Sequence, residues 1–168
     1  TDDNIFIETN IQRNNMKVAL IQITSVLDPN QNLEKIENYL SEIKAQNEID
    51  AVFLPEVFYS MSNGKEPTPY LVEGKNEHFK NIQNLAKKFN VYLLGGSAAT
   101  LKDGKVYNTT YNFSPTGILL SSYDKIHLFD VEISKKEKYL ESKTYNSGNK
   151  AVVTNTPFGS LGLTICYD

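Results

Sequence analysis

Three side chains with complementary chemistry each follow a short apolar run of this sequence: Glu56, Lys125 and Cys166. In open α/β sheets, ligands gather at the carboxyl ends of the strands, so we expect these side chains to meet at one edge of a sheet. A thiol becomes a nucleophile once a base takes its proton, and an ammonium stabilises the oxyanion that forms when a carbonyl is attacked. The combination predicts acyl transfer.

Each of the three residues also has an ordinary structural interpretation. A lone cysteine on an apolar strand is commonly a small buried hydrophobe. Glu56 alone would suit the first turn of a helix, and Lys125 alone would suit a solvated strand end. The combination, and not any single residue, favours a catalytic site.

Apolar periodicity predicts the elements that must position these residues. Helical spacing predicts a helix of about fifteen residues after Asp28 and a second helix through Phe79 and Phe89. The segment Lys102–Lys105 predicts a hairpin turn. Apolar runs predict strands at 16–23, 51–54, 91–94 and 117–123, with a further strand-like run from Leu161. Alternation of apolar with polar residues predicts another strand at 106–113. This alternation predicts an α/β layered fold with helices on one face of a sheet.

The first fifteen residues are polar and aperiodic, whereas an apolar strand pattern begins at Met16. We therefore interpret residues 1–15 as an N-terminal extension and residues 16–168 as a single domain.

Composition narrows the class of protein. The 168 residues are 40% hydrophobic and 22% charged, with a formal net charge of −3, which gives no reason to expect binding to nucleic acid or to an anionic membrane surface. Arg13 is the single arginine, and one cysteine cannot form an internal disulfide. No secretory leader and no apolar run near the ~20 residues of a membrane span occurs, so we expect a cytoplasmic protein.

Two other kinds of site are weakly indicated. His127, Asp130, Cys166 and Asp168 offer metal-ligand atoms, yet the dense Cys/His spacing of metal sites is absent, and we expect no metal and no cofactor. The pair Gly95-Gly96 lacks the Gly-Lys-Ser/Thr continuation of a phosphate-binding loop, so it favours a tight bend.

Four short motifs in order make the chain resemble the carbon-nitrogen hydrolase, or nitrilase, superfamily. The resemblance covers Met16 to Asp168, and the Lys-Ile-His-Leu-Phe-Asp string is most similar to the branch of omega-amidases and deaminated glutathione amidases. The motifs are Phe53-Leu-Pro-Glu56, Tyr123-Asp-Lys-Ile-His-Leu-Phe-Asp130, Glu141-Ser-Lys-Thr144 and Gly162-Leu-Thr-Ile-Cys-Tyr-Asp168.

The resemblance implies a role for each matching residue. Cys166 would be the nucleophile, Glu56 the general base and Lys125 the stabiliser of the tetrahedral intermediate. Glu141 falls where the family has a second glutamate that orients the site, and the backbone N–H of Tyr167 would complete the oxyanion pocket.

The resemblance also implies a substrate class, namely the terminal carboxamide of a small carboxylate-bearing molecule. Omega-amidases have a tyrosine that helps to hold the substrate carboxylate six residues after the base glutamate. Ser62 occupies that position here, and Tyr59 is a nearby candidate to replace it.

For the fold, the resemblance implies an α-β-β-α sandwich, of which this chain would hold the N-terminal part and lack the C-terminal portion. Family members commonly pair their sheets, so a homodimer or a higher homo-oligomer is the expected assembly.

Other functions remain open. The substrate class of the same enzyme could instead be a nitrile, a carbamoyl amine or a glutaminase-type donor. A different class of function is a non-catalytic half-domain that associates with a complementary chain through an uncovered sheet.

Overall fold

The computed structural model describes residues 5–9, 16–64, 66–134 and 137–168. The elements in chain order are β1 (Ile5–Thr9), β2 (Lys17–Ile21), α1 (Pro29–Gln46), β3 (Ala51–Phe53), α2 (Glu77–Phe89), β4 (Tyr92–Leu93), β5 (Ala98–Lys102), β6 (Lys105–Phe113), β7 (Leu119–Asp124), β8 (Asp130–Ser134), β9 (Glu137–Leu140), a 3-10 turn (Glu141–Lys143), β10 (Val153–Thr156) and β11 (Gly159–Gly162).

Seven strands form one mixed sheet. The order is β1-β2-β3-β4-β6-β5, and β7 also pairs with β6. Strands β2, β3 and β4 run parallel, and the remaining pairs are antiparallel. The parallel centre joined through helices is the α/β arrangement that the sequence predicts. The pairs β8–β9 and β10–β11 form two separate antiparallel hairpins.

The N-terminal segment contributes a strand where we predicted only an aperiodic extension. Strand β1 pairs antiparallel with β2, in a register that runs from Ile5 opposite Ile21 to Thr9 opposite Lys17. The run Ile5-Phe6-Ile7 is apolar and β-prone within the otherwise polar N-terminal segment, so a short strand signal was present there. Residues 1–4 and 10–15 of the predicted extension lie outside the described residues.

Both predicted helices form, and capping explains where they begin. The Asp28 side chain accepts a hydrogen bond from Asn30 N (2.9 Å) at the start of α1. The Asn76 side chain accepts one from Phe79 N (3.1 Å) at the start of α2, which ends at Asn90 in the left-handed conformation. Each cap satisfies a backbone donor that a helix otherwise leaves unpaired. Neither helix combines the length and the apolar character of a membrane span.

The helices pack on one face of the sheet and on each other. Lys44 Nζ of α1 donates to the carbonyl oxygen of Phe89 in α2 (2.8 Å), and Lys88 pairs with Glu37 (2.8 Å). The helical stripes join the buried side of the strands in one apolar cluster, while Leu20, on the opposite face of β2, is exposed. The prediction of helices on one face is therefore confirmed.

Two turn regions were predicted with different success. The hairpin between β5 and β6 forms as expected, with positive φ at Asp103 (49°) and Gly104 (72°). The apolar run from Leu161 is a strand only as far as Gly162; residues 163–165 have no regular secondary structure, and a turn follows at residues 166–167. The nucleophile candidate Cys166 therefore lies on a turn and not at the end of a longer strand.

Candidate active site

Glu56 lies just beyond β3, on a backbone that Ser97 holds from both sides. Ser97 N donates to the carbonyl oxygen of Pro55 (3.3 Å), and Val57 N donates to Ser97 Oγ (2.8 Å). Val57 has a φ of 51°, a left-handed conformation that is unfavourable for a β-branched residue. Such a backbone is retained where neighbours fix it, and here it sets the direction of the Glu56 side chain.

Lys125 follows β7 directly, and its backbone is fixed at both peptide groups. Its N–H donates to the carbonyl oxygen of Asn108 (2.9 Å), and its own carbonyl oxygen accepts from Gly148 N (2.8 Å). A Cβ at Gly148 would lie 2.2 Å from the carbonyl oxygen of Asp124, so this contact requires glycine. The Lys125 side chain is only 1% exposed.

The Lys125 ammonium bridges two carboxylates. Nζ donates to Glu56 Oε1 (2.8 Å) and to Glu141 Oε2 (2.9 Å). Burial by itself lowers the pKa of Lys125, but the hydrogen bonds and charges of the two glutamates outweigh that effect and raise the pKa above its usual value. The side chain therefore stays an ammonium, with two of its three protons committed to carboxylates.

Glu141 begins the 3-10 turn and is buried beside the lysine. Its Oε2 also accepts from Phe129 N (2.7 Å), which ties the turn to the chain just after Lys125. Asn108, on β6, completes the arrangement, because its Nδ2 donates to Glu56 Oε1 (2.8 Å) and lies 3.4 Å from Glu141 Oε1. One buried amide and one buried ammonium thus hold both carboxylates.

Cys166 brings an exposed thiol to the same group of side chains. Its φ of 49° is left-handed, as at the sharp turns on which several enzymes present a nucleophile. Desolvation raises the pKa of the thiol first, and its hydrogen bond to Glu56 and the charge of that carboxylate raise it further, while the Lys125 ammonium lowers it. The net pKa is raised, so the resting side chain is a thiol that needs a base.

The side chains of Glu56, Lys125, Glu141 and Cys166 line one cavity of about 240 Å³. The size suits a small molecule. Burial raises the pKa of Tyr145 in its wall to about 12, so that phenol stays neutral. The other wall residues are Val57, Met61, Ser62, Gly64, Phe129 and Tyr139.

A model of the carbon-nitrogen hydrolase family matches residues 17–168. The chain belongs to the carbon-nitrogen hydrolase family. The human omega-amidase NIT2 is 36% identical to this family member over 152 residues, which are 90% of this chain and 55% of NIT2. The omega-amidase NIT3 of Saccharomyces cerevisiae is 35% identical over 161 residues, which are 91% of this chain and 55% of that protein. The chain thus spans about half the length of these curated relatives.

Solved structures agree on the fold. The crystal structure of Saccharomyces cerevisiae Nit3, a member of branch 10 of the nitrilase superfamily, matches 90% of this chain and 55% of its own with a TM-score of 0.74 and 29% identity. A carbon-nitrogen hydrolase superfamily protein of Xanthomonas campestris matches 99% of this chain and 54% of its own with a TM-score of 0.72 and 22% identity, which shows the fold alone. The predicted nitrilase-like α/β fold is confirmed.

Two other site predictions concern tyrosines. The structure does not bring Tyr59 to the cavity of this carbon-nitrogen hydrolase, because the side chain is fully buried and its hydroxyl bonds with His78 Nδ1 (2.9 Å) and Asn81 Nδ2 (3.1 Å). The predicted contact of Tyr59 with substrate therefore has no support in the geometry.

Tyr167 follows the nucleophile candidate, and its exposed ring packs edge-on against Phe129. Ser62, at the position where omega-amidases have tyrosine, lines the cavity while its hydroxyl donates to the Glu66 carbonyl oxygen (2.7 Å).

Sequence reasoning missed Asn108 and the pairing of His127 with Asp168. The alternation along β6 separated its polar from its apolar face, but it did not show that the polar face is buried beneath the site. His127 Nδ1 lies 3.1 Å from Asp168 Oδ1, and within the described ranges no group of three or more His, Cys, Asp or Glu side chains is arranged to hold a metal ion.

Proposed function

We propose that this protein hydrolyses the carboxamide of a small carboxylate-bearing substrate and releases ammonia, with Cys166 as the nucleophile. The observation that carries the proposal is the shared cavity, in which a buried ammonium joins two carboxylates and the Cys166 side chain lies in the same wall as all three groups. The relatives named omega-amidases support an amide as the substrate.

In the first step Glu56 takes the thiol proton. Its Oε1 already accepts from Lys125 and Asn108, so Oε2 remains to accept from Cys166. Because the pKa of the thiol is raised, little thiolate exists at rest, and deprotonation accompanies attack on the carbonyl carbon.

The attack forms a carbon–sulfur bond and moves the carbonyl electron pair onto oxygen. The third proton of the Lys125 ammonium is available for this oxyanion, since the other two are donated to Glu56 and Glu141. The backbone N–H of Tyr167 supplies a second donor. Glu141 serves this step indirectly, because it fixes the ammonium and the backbone of Phe129.

Collapse of the tetrahedral intermediate breaks the carbon–nitrogen bond. Glu56, now carrying the thiol proton, protonates the departing nitrogen, and ammonia leaves an acyl thioester on Cys166. A water molecule then gives a proton to Glu56 and attacks the thioester, which releases the carboxylate product and restores the thiol. Dividing the hydrolysis in two replaces one high barrier with two lower ones.

The test is ammonia release by the native protein from a short ω-amide such as succinamate. Cys166→Ala is expected to abolish the release, and Glu56→Gln to lower kcat by about 10²–10⁴-fold, the usual contribution of a general base. Tyr92→Phe, on a strand away from the cavity, is the matched control and should retain full activity. Hydroxylamine should divert the acyl thioester of the parent to a hydroxamate.

A parallel panel of a nitrile, a carbamoyl amine and glutamine decides among the alternative substrate classes. Ammonia release from one of these compounds and not from the ω-amide would change the substrate. Activity in Cys166→Ala would overturn the nucleophile itself.

A further inference from the structure

Asp168 is a buried carboxylate that the proposed chemistry does not use. Its side chain is only 4% exposed. Oδ2 accepts from the Tyr123 hydroxyl (2.7 Å) and from Ile165 N (2.9 Å). Oδ1 accepts from Ile126 N (3.2 Å) and His127 N (2.8 Å), and it also lies 3.1 Å from His127 Nδ1. Both oxygens are therefore fully engaged.

The donors belong to two segments that carry the reacting groups. Ile126 and His127 follow Lys125 directly, whereas Ile165 immediately precedes Cys166. One carboxylate therefore ties the backbone beside the ammonium to the backbone beside the thiol.

The same carboxylate supports the strained turn of the nucleophile. Cys166 has a φ of 49°, and Asp168 N donates to the carbonyl oxygen of Ile165 (3.1 Å), which closes the turn around it. The Asp168 side chain reaches back to Ile165 N and closes the turn a second time. A non-glycine residue stays in this conformation only where its surroundings determine it.

We propose that Asp168 is a positioning residue that fixes the thiol of Cys166 at its working distance from the Lys125 ammonium. The proposal rests on the proposed function for the roles of those two groups. A carboxylate is required, because an asparagine oxygen can replace only one of the two acceptors, and its amide nitrogen would face two donors. A role in stability alone would not couple the two segments to the chemistry.

The experiment compares Asp168→Asn with Asp130→Asn in the native protein. Asp130 also accepts a backbone N–H, from Ser142 (3.0 Å), but its side chain is exposed and an amide oxygen can keep this bond. We expect Asp168→Asn to lower kcat for succinamate by about 100-fold, the usual effect of misplacing a reacting group by an ångström, with little change in KM. Asp130→Asn should behave as the parent.

Alkylation of Cys166 by iodoacetamide gives a readout that does not depend on turnover. Cys166 faces Glu56, Glu141 and Lys125, and only Lys125 lowers its pKa. If Asp168→Asn lets the ammonium move away, the pH of half-maximal alkylation rises above that of the parent. A stability role alone would lower the melting temperature without moving this pH.

The kcat and alkylation results together decide whether Asp168 positions the thiol. Parental kcat and an unmoved alkylation profile in Asp168→Asn overturn the proposal, even if the melting temperature falls. If Asp168→Asn does not fold, Tyr123→Phe removes one donor from Oδ2, and unchanged kcat and alkylation there overturn the proposal equally. If the parent releases no ammonia, the proposed function fails, while the alkylation profiles still decide the role of Asp168.

Discussion

Replacing Lys125 with methionine tests whether the buried ammonium holds the site together. Methionine keeps an unbranched apolar chain but removes the charge that joins Glu56 and Glu141. Both carboxylates then lose a charge-assisted hydrogen bond of less than 3 Å. The expected result is a large loss in the free energy of unfolding together with the loss of activity.

The magnitude follows from burial. Removing one partner of a buried ion pair costs about 3–5 kcal/mol, because the remaining charge is left uncompensated. The Glu141 side chain is 6% exposed and cannot recruit much water, whereas Glu56 is 30% exposed and can be partly rehydrated. We therefore expect a loss near the lower end, about 3 kcal/mol, most of it from Glu141.

The assay is urea unfolding of the native protein followed by circular dichroism, with Lys102→Met as the matched control. Lys102 pairs with Asp124 at 2.6 Å, a shorter distance than in the Lys125 pairs, but its side chain is 35% exposed. A pair of this exposure contributes about 0–1 kcal/mol. Burial, and not the ion-pair distance, should therefore decide the difference between the two variants.

A double variant measures how strongly Lys125 and Glu141 depend on each other. Lys125→Met combined with Glu141→Gln removes the stranded charge, so the pair should be about 1–2 kcal/mol more stable than the sum of the single losses implies. Equal losses in Lys125→Met and Lys102→Met, or strict additivity with Glu141→Gln, would refute the reasoning.

Three further predictions follow from the geometry. Because the Glu56 carboxylate raises the pKa of Cys166, Glu56→Gln should lower the pH of half-maximal alkylation by iodoacetamide, and an unchanged or higher pH contradicts that cause. Asn108→Leu should lower kcat at least about tenfold, since a hydrogen bond to a charged group contributes about 1.5–3 kcal/mol, and parental kcat would show that the amide is dispensable. Gly148→Ala places a methyl 2.2 Å from a backbone carbonyl oxygen beside the site lysine, so it should lower the free energy of unfolding in urea by about 1–3 kcal/mol. Gly162→Ala is the control, because a Cβ there meets nothing within 4 Å, and it should lower that free energy much less. Equal losses in the two variants would exclude the clash at Gly148.

The elements that position the site were predictable where periodicity is local. In α1 the side chains of Ile36, Leu40 and Ile43 recur at helical spacing, and all three are buried in the structure. The turn between β5 and β6 was predictable, because Asp-Gly satisfies a two-residue hairpin with positive φ. Both signals are complete within one short stretch of sequence.

The hairpin β8–β9 was missed although a signal was present. Val131 and Ile133 alternate with polar residues along β8, which is typical of a strand with one apolar face. Strand β9 contributes Tyr139 to the cavity wall, so the missed hairpin also carries part of the site. Alternation over five residues was too short to distinguish from a loop.

Asn108 could not be predicted as part of the site, because its role depends on groups far along the chain. Along β6 the even positions Asn108, Thr110 and Asn112 are polar, and a half-exposed strand would turn such a face to water. In the structure all three are buried, and Asn108 meets carboxylates 52 and 33 residues away. Period-two alternation separates the two faces of a strand but does not tell which of them is solvated.

Upward shifts of two pKa values have different consequences for Lys125 and Cys166. The two carboxylates raise the pKa of Lys125, which makes the ammonium a poor acid and a persistent positive charge. Desolvation and the Glu56 carboxylate raise the pKa of Cys166, which keeps the sulfur protonated at rest. In the proposed mechanism, the proton that reaches the departing nitrogen is therefore the one that left the sulfur, carried by Glu56, while Lys125 contributes charge without proton transfer. If Glu56 moves the proton and Lys125 holds the oxyanion, as we propose, substitutions that neutralise the two groups should affect different parts of the same step.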